Sequence, residues 1–143
     1  MISYYYNTDA HFLEKIFLLH EEFQKQNIRV DRLSRHLYDL YRLYHSEFKE
    51  KAIKNENLYK TIVAHRLEFT KISGIDYTLH HPKTINPIPL DNVIKEWEKD
   101  YEKMKTEMLY GKDKPEFSTI IDTINKLKKD LSNLNFKIIT VKE

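Results

Sequence analysis

Apolar residues fall three and four positions apart along most of this chain, and that spacing limits what it can fold into. Phe12, Ile16, Leu19 and Phe23 recur at intervals of four, three and four, which places them on one stripe of a helix. Leu13 and Phe17 widen the stripe, so this first helix, opened by Asp9 as an N-cap, is expected to bury more than half its girth. Glu14 and Lys15 are charged exceptions inside it. A polar link, QKQNIRVD, leads to a second helix capped by Asp31, with Leu33, Leu37, Leu40, Tyr44 and Phe48 on its apolar stripe. A third helix is expected from about Asn57 to Ile72, with Leu58, Ile62, His65 and Phe69 inward and Gly74 as its stop. HHPKTINPIPL, with three of the four prolines, reads as an extended loop. Asp91 is expected to cap a fourth helix carrying Ile94, Trp97, Tyr101, Met104 and Met108, which Gly111 ends. A fifth carries Ile120, Ile121, Ile124, Leu127, Leu131 and Leu134.

Two glycines in 143 residues leave few places to turn hairpins. The expected architecture is all-α: one helical domain over residues 1–143, a bundle of about five helices. A short terminal strand in ISYYYN or FKIITVK is the only β element the pattern admits. The chain has 24 basic and 22 acidic residues, so net charge alone makes no case for nucleic acid, and any basic patch has to come from local clustering. Without cysteine there is no disulfide or thiolate chemistry, which suits a reducing cytoplasm. No apolar run approaches the roughly 20 residues of a membrane span, so the chain is expected to be soluble and cytoplasmic.

Chemistry-bearing residues gather on the second helix. Arg35, Asp39 and Arg42 stand at i, i+4 and i+7, projecting from one face. Such a set forms either a solvated ladder of intrahelical ion pairs or an aspartate held by guanidiniums beside a phosphate site, which arginine suits by its fork geometry. Lys15 poses a similar choice. An ammonium in an apolar helix either snorkels to water or points into a cleft at an anionic ligand.

Four ordered blocks extend the reading: HFLEKIFLLHEEF, RLSRHLYDLYRL, IVAHRLEF and EKDYEKMKTEMLYGKDKPEF. Together they resemble the AbiEii/AbiGii-type toxin nucleotidyltransferases, whose members typically read T-F-x-E-K-x-x-x-L-H, S-R-H-x-Y-D-L, H-K-x-x-F and D-Y-x-x-M-x-x-M-x-x-G-x-x-P-x-F. The resemblance runs from about Asp9 to Asn135. It implies transfer from a nucleoside triphosphate to an RNA acceptor such as tRNA, and a cognate antitoxin as partner. The family's lysine, thought to meet the nucleotide phosphates, falls on Lys15. Its motif aspartate, an orienting or proton-accepting group, falls on Asp39. Arg35, in the matching S-R-H, would support Asp39 or contact phosphate, and His20 and His36 also match, in supporting roles; Arg42 is a phosphate-binding candidate by its place on the same helix face.

One departure matters more than these matches. The family carries its Gly-Ser turn and metal-binding aspartates in an N-terminal nucleotidyltransferase domain, and the complete enzyme is expected to use Mg2+. This sequence has no Gly-Ser and no D-x-D; the nearest approach, Asp100-Tyr101-Glu102, diverges on a helix. The expectation is therefore a C-terminal helical half without a metal site, inactive alone. Two rivals remain. An RNase of the HEPN type is suggested by Arg29 and His36, separated by VDRLSR. A non-catalytic interaction module is suggested by the stripe Trp97, Tyr101, Met104 and Met108. Surface left by a missing domain, with Phe12, Phe17 and Tyr4–Tyr6 as candidates, points to homo-oligomerisation. His80 and His81, with no clustered acid in sequence, are not expected to bind metal, and Lys126, Lys128 and Lys129 form a solvated face.

Overall fold

The computed structural model describes residues 8–25, 28, 30–69, 74–107 and 114–136. Among them the chain is all-helical: α1 Thr8–Glu22, α2 Ser34–Tyr44, α3 Lys49–Lys54, α4 Glu56–Phe69, α5 Ile94–Glu107 and α6 Phe117–Ser132, with a 3-10 turn at Tyr77–His80. None is long and apolar enough to cross a membrane. The proposed terminal strands, Tyr4–Tyr6, Arg29, Met108 and Gly111 lie outside the described residues.

α1 is the hub. Its Phe12, Leu13, Ile16, Phe17 and Leu19 are completely buried, and it packs against α2, α3 and α4. α2 lies between α1 on one side and α5 and α6 on the other. The stripe of α6 closes the core through Ile120, Ile124, Leu127 and Leu131. Each buried apolar side chain of this size contributes on the order of 2 kcal/mol.

Several sequence expectations are corrected. The expected second helix is two: α2 ends at Tyr44, and Phe48 becomes the N-cap of α3, more than a third exposed. Ser46 makes the break, its Oγ donating to the Leu43 carbonyl (2.6 Å) and accepting from Phe48 N–H (3.2 Å). α4 starts at Glu56, capped by Asn55, whose Oδ1 accepts from Leu58 N–H at 3.1 Å. Its inward face is Tyr59, Ile62 and Val63, while Phe69 is 69% exposed. Asp9 sits inside the first turn of α1, not before it. Asp91 lies in a turn ahead of α5. Trp97, Tyr101 and Met104 are core, as are Phe12 and Phe17, so none of these five offers a surface to a partner.

The start of α2 is held from a distance. Asp31 does not cap it, and the N-cap residue Leu33 makes no side-chain cap bond. The Asp100 carboxylate on α5 does this work, accepting from Arg32 N–H at 2.8 Å and Ser34 N–H at 3.0 Å. Arg32 has φ +64°, a left-handed conformation costing a non-glycine residue on the order of 1 kcal/mol. That conformation turns the two amides onto one acceptor. Replacing Asp100 by alanine is expected to lower unfolding free energy by about 1–2 kcal/mol. Asp100→Asn, which turns an NH2 toward one of the two amides, should recover less than half. Urea denaturation of the three proteins checks this; coincident curves would remove Asp100 from the account.

Candidate functional site

Charged side chains on α1 need partners because the helix around them is buried. Glu14, Lys15 and Glu21 find theirs on other elements, Glu14 and Glu21 sharing one. Lys15 Nζ lies 3.0 Å from Asp39 Oδ2 on α2 and 3.3 Å from His36 Nδ1. An ammonium can only donate, so His36 Nδ1 is the acceptor and its proton sits on Nε2. Lys15 is one-fifth exposed and Asp39 one-third, so the pair stands at the rim of the core, within reach of solvent.

Beside this pair is a hollow of about 250 Å³, lined by Ala10, His11, Glu14, Lys15, Leu18, His36 and Arg66. Asp39 adjoins it through Lys15. The two charged residues singled out in sequence on α1 and α2 thus converge, and His36 joins them. Arg35 and Arg42 are exposed, and Arg42 donates from Nη1 to the Tyr38 hydroxyl at 3.1 Å. Asp39 pairs with Lys15 across the α1–α2 interface.

The opposite wall of the hollow is a buried ionic cluster that sequence reading missed. Arg66 on α4 grips Glu21 with Nε (2.7 Å) and Nη2 (2.6 Å) and reaches Glu14 with Nη1 (2.6 Å). His80 Nε2 adds a third donor to Glu21 at 2.7 Å. Burial alone would raise the Glu21 carboxyl, but the Arg66 and His80 donors outweigh it and hold it below the ordinary carboxylate range. Burial also opposes the Arg66 charge, and Glu21 and Glu14 reverse that. His80 is fully buried. The 3-10 turn brings it to Glu21 across 59 residues of sequence.

His20, assigned a supporting role from sequence, is not brought to the hollow. It is buried on the far side of Glu21, its ring edge-on to His80 at 4.8 Å. Its Nδ1 accepts from Asn86 N–H at 2.8 Å, pinning the proline-rich segment to α1. Among the described residues no group of three or more acidic or histidine side chains could hold a metal ion.

Burial first, and the neighbouring His80 second, push the His20 imidazole down from 6.5 to about 4. Between those values the unfolded chain takes a proton that the folded chain refuses. Stability is therefore complete above pH 6.5 and falls as pH drops toward 4. His20→Gln removes this titration. The loss of unfolding free energy between pH 7 and pH 4.5 should shrink by about 2–3 kcal/mol in the variant, measured by denaturant melts at both pH values. An unchanged pH dependence would contradict the burial argument.

A family model for the nucleotidyl transferase AbiEii toxin, of a type IV toxin–antitoxin system, matches residues 4–123. No curated protein and no solved structure matches the chain. The matched span contains α1 through α5, hence Lys15, His36, Asp39 and Arg66 together. With more than half its length covered, the chain belongs to the AbiEii nucleotidyl transferase toxin family.

Proposed function

We propose that this chain supplies the helical wall of a nucleotidyltransferase site, in which the nucleotidyl (monophosphate) group of a nucleoside triphosphate is transferred to an RNA acceptor such as tRNA. The observation that carries the reading is the Lys15–Asp39 pair, 3.0 Å apart and partly exposed at the edge of the hollow. In the reaction an acceptor hydroxyl attacks the α-phosphorus, a new O–P bond forms, and the bond to the departing diphosphate breaks. Lys15 stabilises negative charge on the phosphates. Asp39 orients the hydroxyl or takes its proton. His36 holds Lys15 in place. Arg66 is already neutralised by Glu14 and Glu21, so its role is to shape the hollow.

Phosphoryl transfer of this kind is expected to need Mg2+. The carboxylates that hold the ion are assigned to polypeptide outside the described residues, a reading supported by the lack of a Gly-Ser turn and of a D-x-D pair in this sequence. On this reading the 143-residue chain transfers no nucleotide alone, and a cognate antitoxin is its partner in the toxin–antitoxin system. Supporting a cytoplasmic site of action are the toxin family and the absence of a membrane-length helix among the described residues.

The pair also makes a prediction with opposite signs at its two ends. Lys15→Met should weaken binding of tripolyphosphate by about tenfold, equivalent to about 1.4 kcal/mol. Asp39→Asn removes the competing anion, so it should tighten binding roughly threefold, while abolishing transfer in the completed enzyme. Titration calorimetry on the three proteins checks this. Equal affinities in all three would detach Lys15 from phosphate and sink the reading. Labelled nucleotide appearing on RNA with the pure chain, each triphosphate and magnesium would refute the incompleteness.

A further inference from the structure

The hollow lies on the α1 side of α2; the outer edge of the same helix is a separate surface. Aromatic rings there form a continuous series. Tyr38 stacks on Tyr41 with centroids 6.5 Å apart and planes 26° apart, Tyr41 meets His45 edge-on at 4.9 Å, and His45 meets Tyr44 at 5.2 Å. The Arg42 guanidinium lies 6.0 Å from the Tyr38 ring centre. Arg35, Arg42 and His45 are exposed, while Tyr38 and Tyr41 are half-buried, packed against the core on one side and meeting solvent with the rest of each ring. Arg35 and Arg42, seven residues apart, are separated by about 10 Å along the axis. Asp39 stands between them in sequence, its charge answered by Lys15 on the other side.

We propose that this edge of α2 docks an unpaired RNA strand, leading its end to Asp39. The ligand is recognised by two chemistries at once. Guanidiniums take phosphates, and stacked tyrosines offer faces to bases that no duplex has free. A base pair in an A-form helix hides both faces in the stack, so a double-stranded body would meet only the two arginines. A protein partner would lack the repeating anions that the exposed arginines fit. The inference rests on the proposed transfer only for the acceptor's presence beside Asp39. It reassigns Arg35 and Arg42 from the nucleoside triphosphate to the acceptor.

The test is fluorescence anisotropy with a labelled, unstructured oligoribonucleotide of about ten nucleotides and a blunt duplex of the same length, from about 50 to 200 mM salt. The single strand should bind at least tenfold more tightly than the duplex. The double variant Arg35→Ala/Arg42→Ala should lose at least tenfold in affinity, and its salt slope should fall by about 1.4, at roughly 0.7 per phosphate released. Tyr38→Ala should lose about tenfold with the slope unchanged, and Tyr38→Phe should restore binding, which separates stacking from misfolding. Three outcomes overturn the proposal: duplex binding equal to single-strand binding, variants that bind like the wild type, or arginine variants that lose tripolyphosphate in the same proportion as RNA. Failure of the transferase reading is distinct, since it appears as intact tripolyphosphate binding in Lys15→Met.

Discussion

Charge on a buried helix has to be neutralised, and that constraint organises this molecule. α1 is apolar around most of its girth, yet it carries Glu14, Lys15 and Glu21. Leaving any one unpaired at that depth costs several kcal/mol. Glu14 and Glu21 therefore fix where α4 lies, through Arg66, and where the 3-10 turn lies, through His80. Lys15 fixes the facing side of α2 through Asp39 and His36. Apolar packing would tolerate sliding of these helices by a turn. The ionic partners do not, because each pair closes at one register only.

The two kinds of pair differ in what they leave available. Glu21 takes three donors and is buried, so its charge is spent inside the fold. Lys15 has one carboxylate and one imidazole, and a fifth of its side chain meets solvent. An incoming polyanion can compete for it with Asp39, since the water-exposed side of such a pair is worth little by itself. The fold thus holds two arrangements side by side, one saturated and structural, one partly open. Arg66, although more completely charged-paired, shapes the same hollow from the saturated side.

Much of this was legible in the sequence because helical periodicity encodes burial. The stripes of α1, α5 and α6 survive almost residue for residue. Lys15 and Asp39 were legible because each broke the local pattern: a cation in an apolar helix, an anion in a basic one. Arg66 and His80 broke no pattern. Arg66 follows a polar residue on an amphipathic helix, and His80 sits in a proline-rich stretch that looked unstructured. Their meaning lies in contacts across 45 and 59 residues, which no spacing rule reports. Asp100 was likewise invisible, since its role depends on the left-handed turn at Arg32, a residue type that seldom adopts it. The break after Tyr44 was missed for a related reason. Phe48 continues the apolar period of α2, and the period cannot show that Ser46 has captured the backbone.

The same helix therefore has to meet three demands at once. Its inner face, Leu37 and Leu40, is fully buried against the bundle. Its α1-facing side positions His36 and Asp39 on Lys15. Its remaining edge is left with tyrosines, arginines and His45. An eleven-residue helix with all of its girth committed has no freedom to shift, and it is held at its start by a carboxylate from α5. That anchoring matters for chemistry. In the proposed reaction, a carboxylate that orients a hydroxyl has to be placed to within about half an ångström, and a helix without an N-terminal cap of its own would fray by more than that. Asp100, distant from the hollow and never in contact with it, is thus the residue through which the position of Asp39 is transmitted to the rest of the bundle.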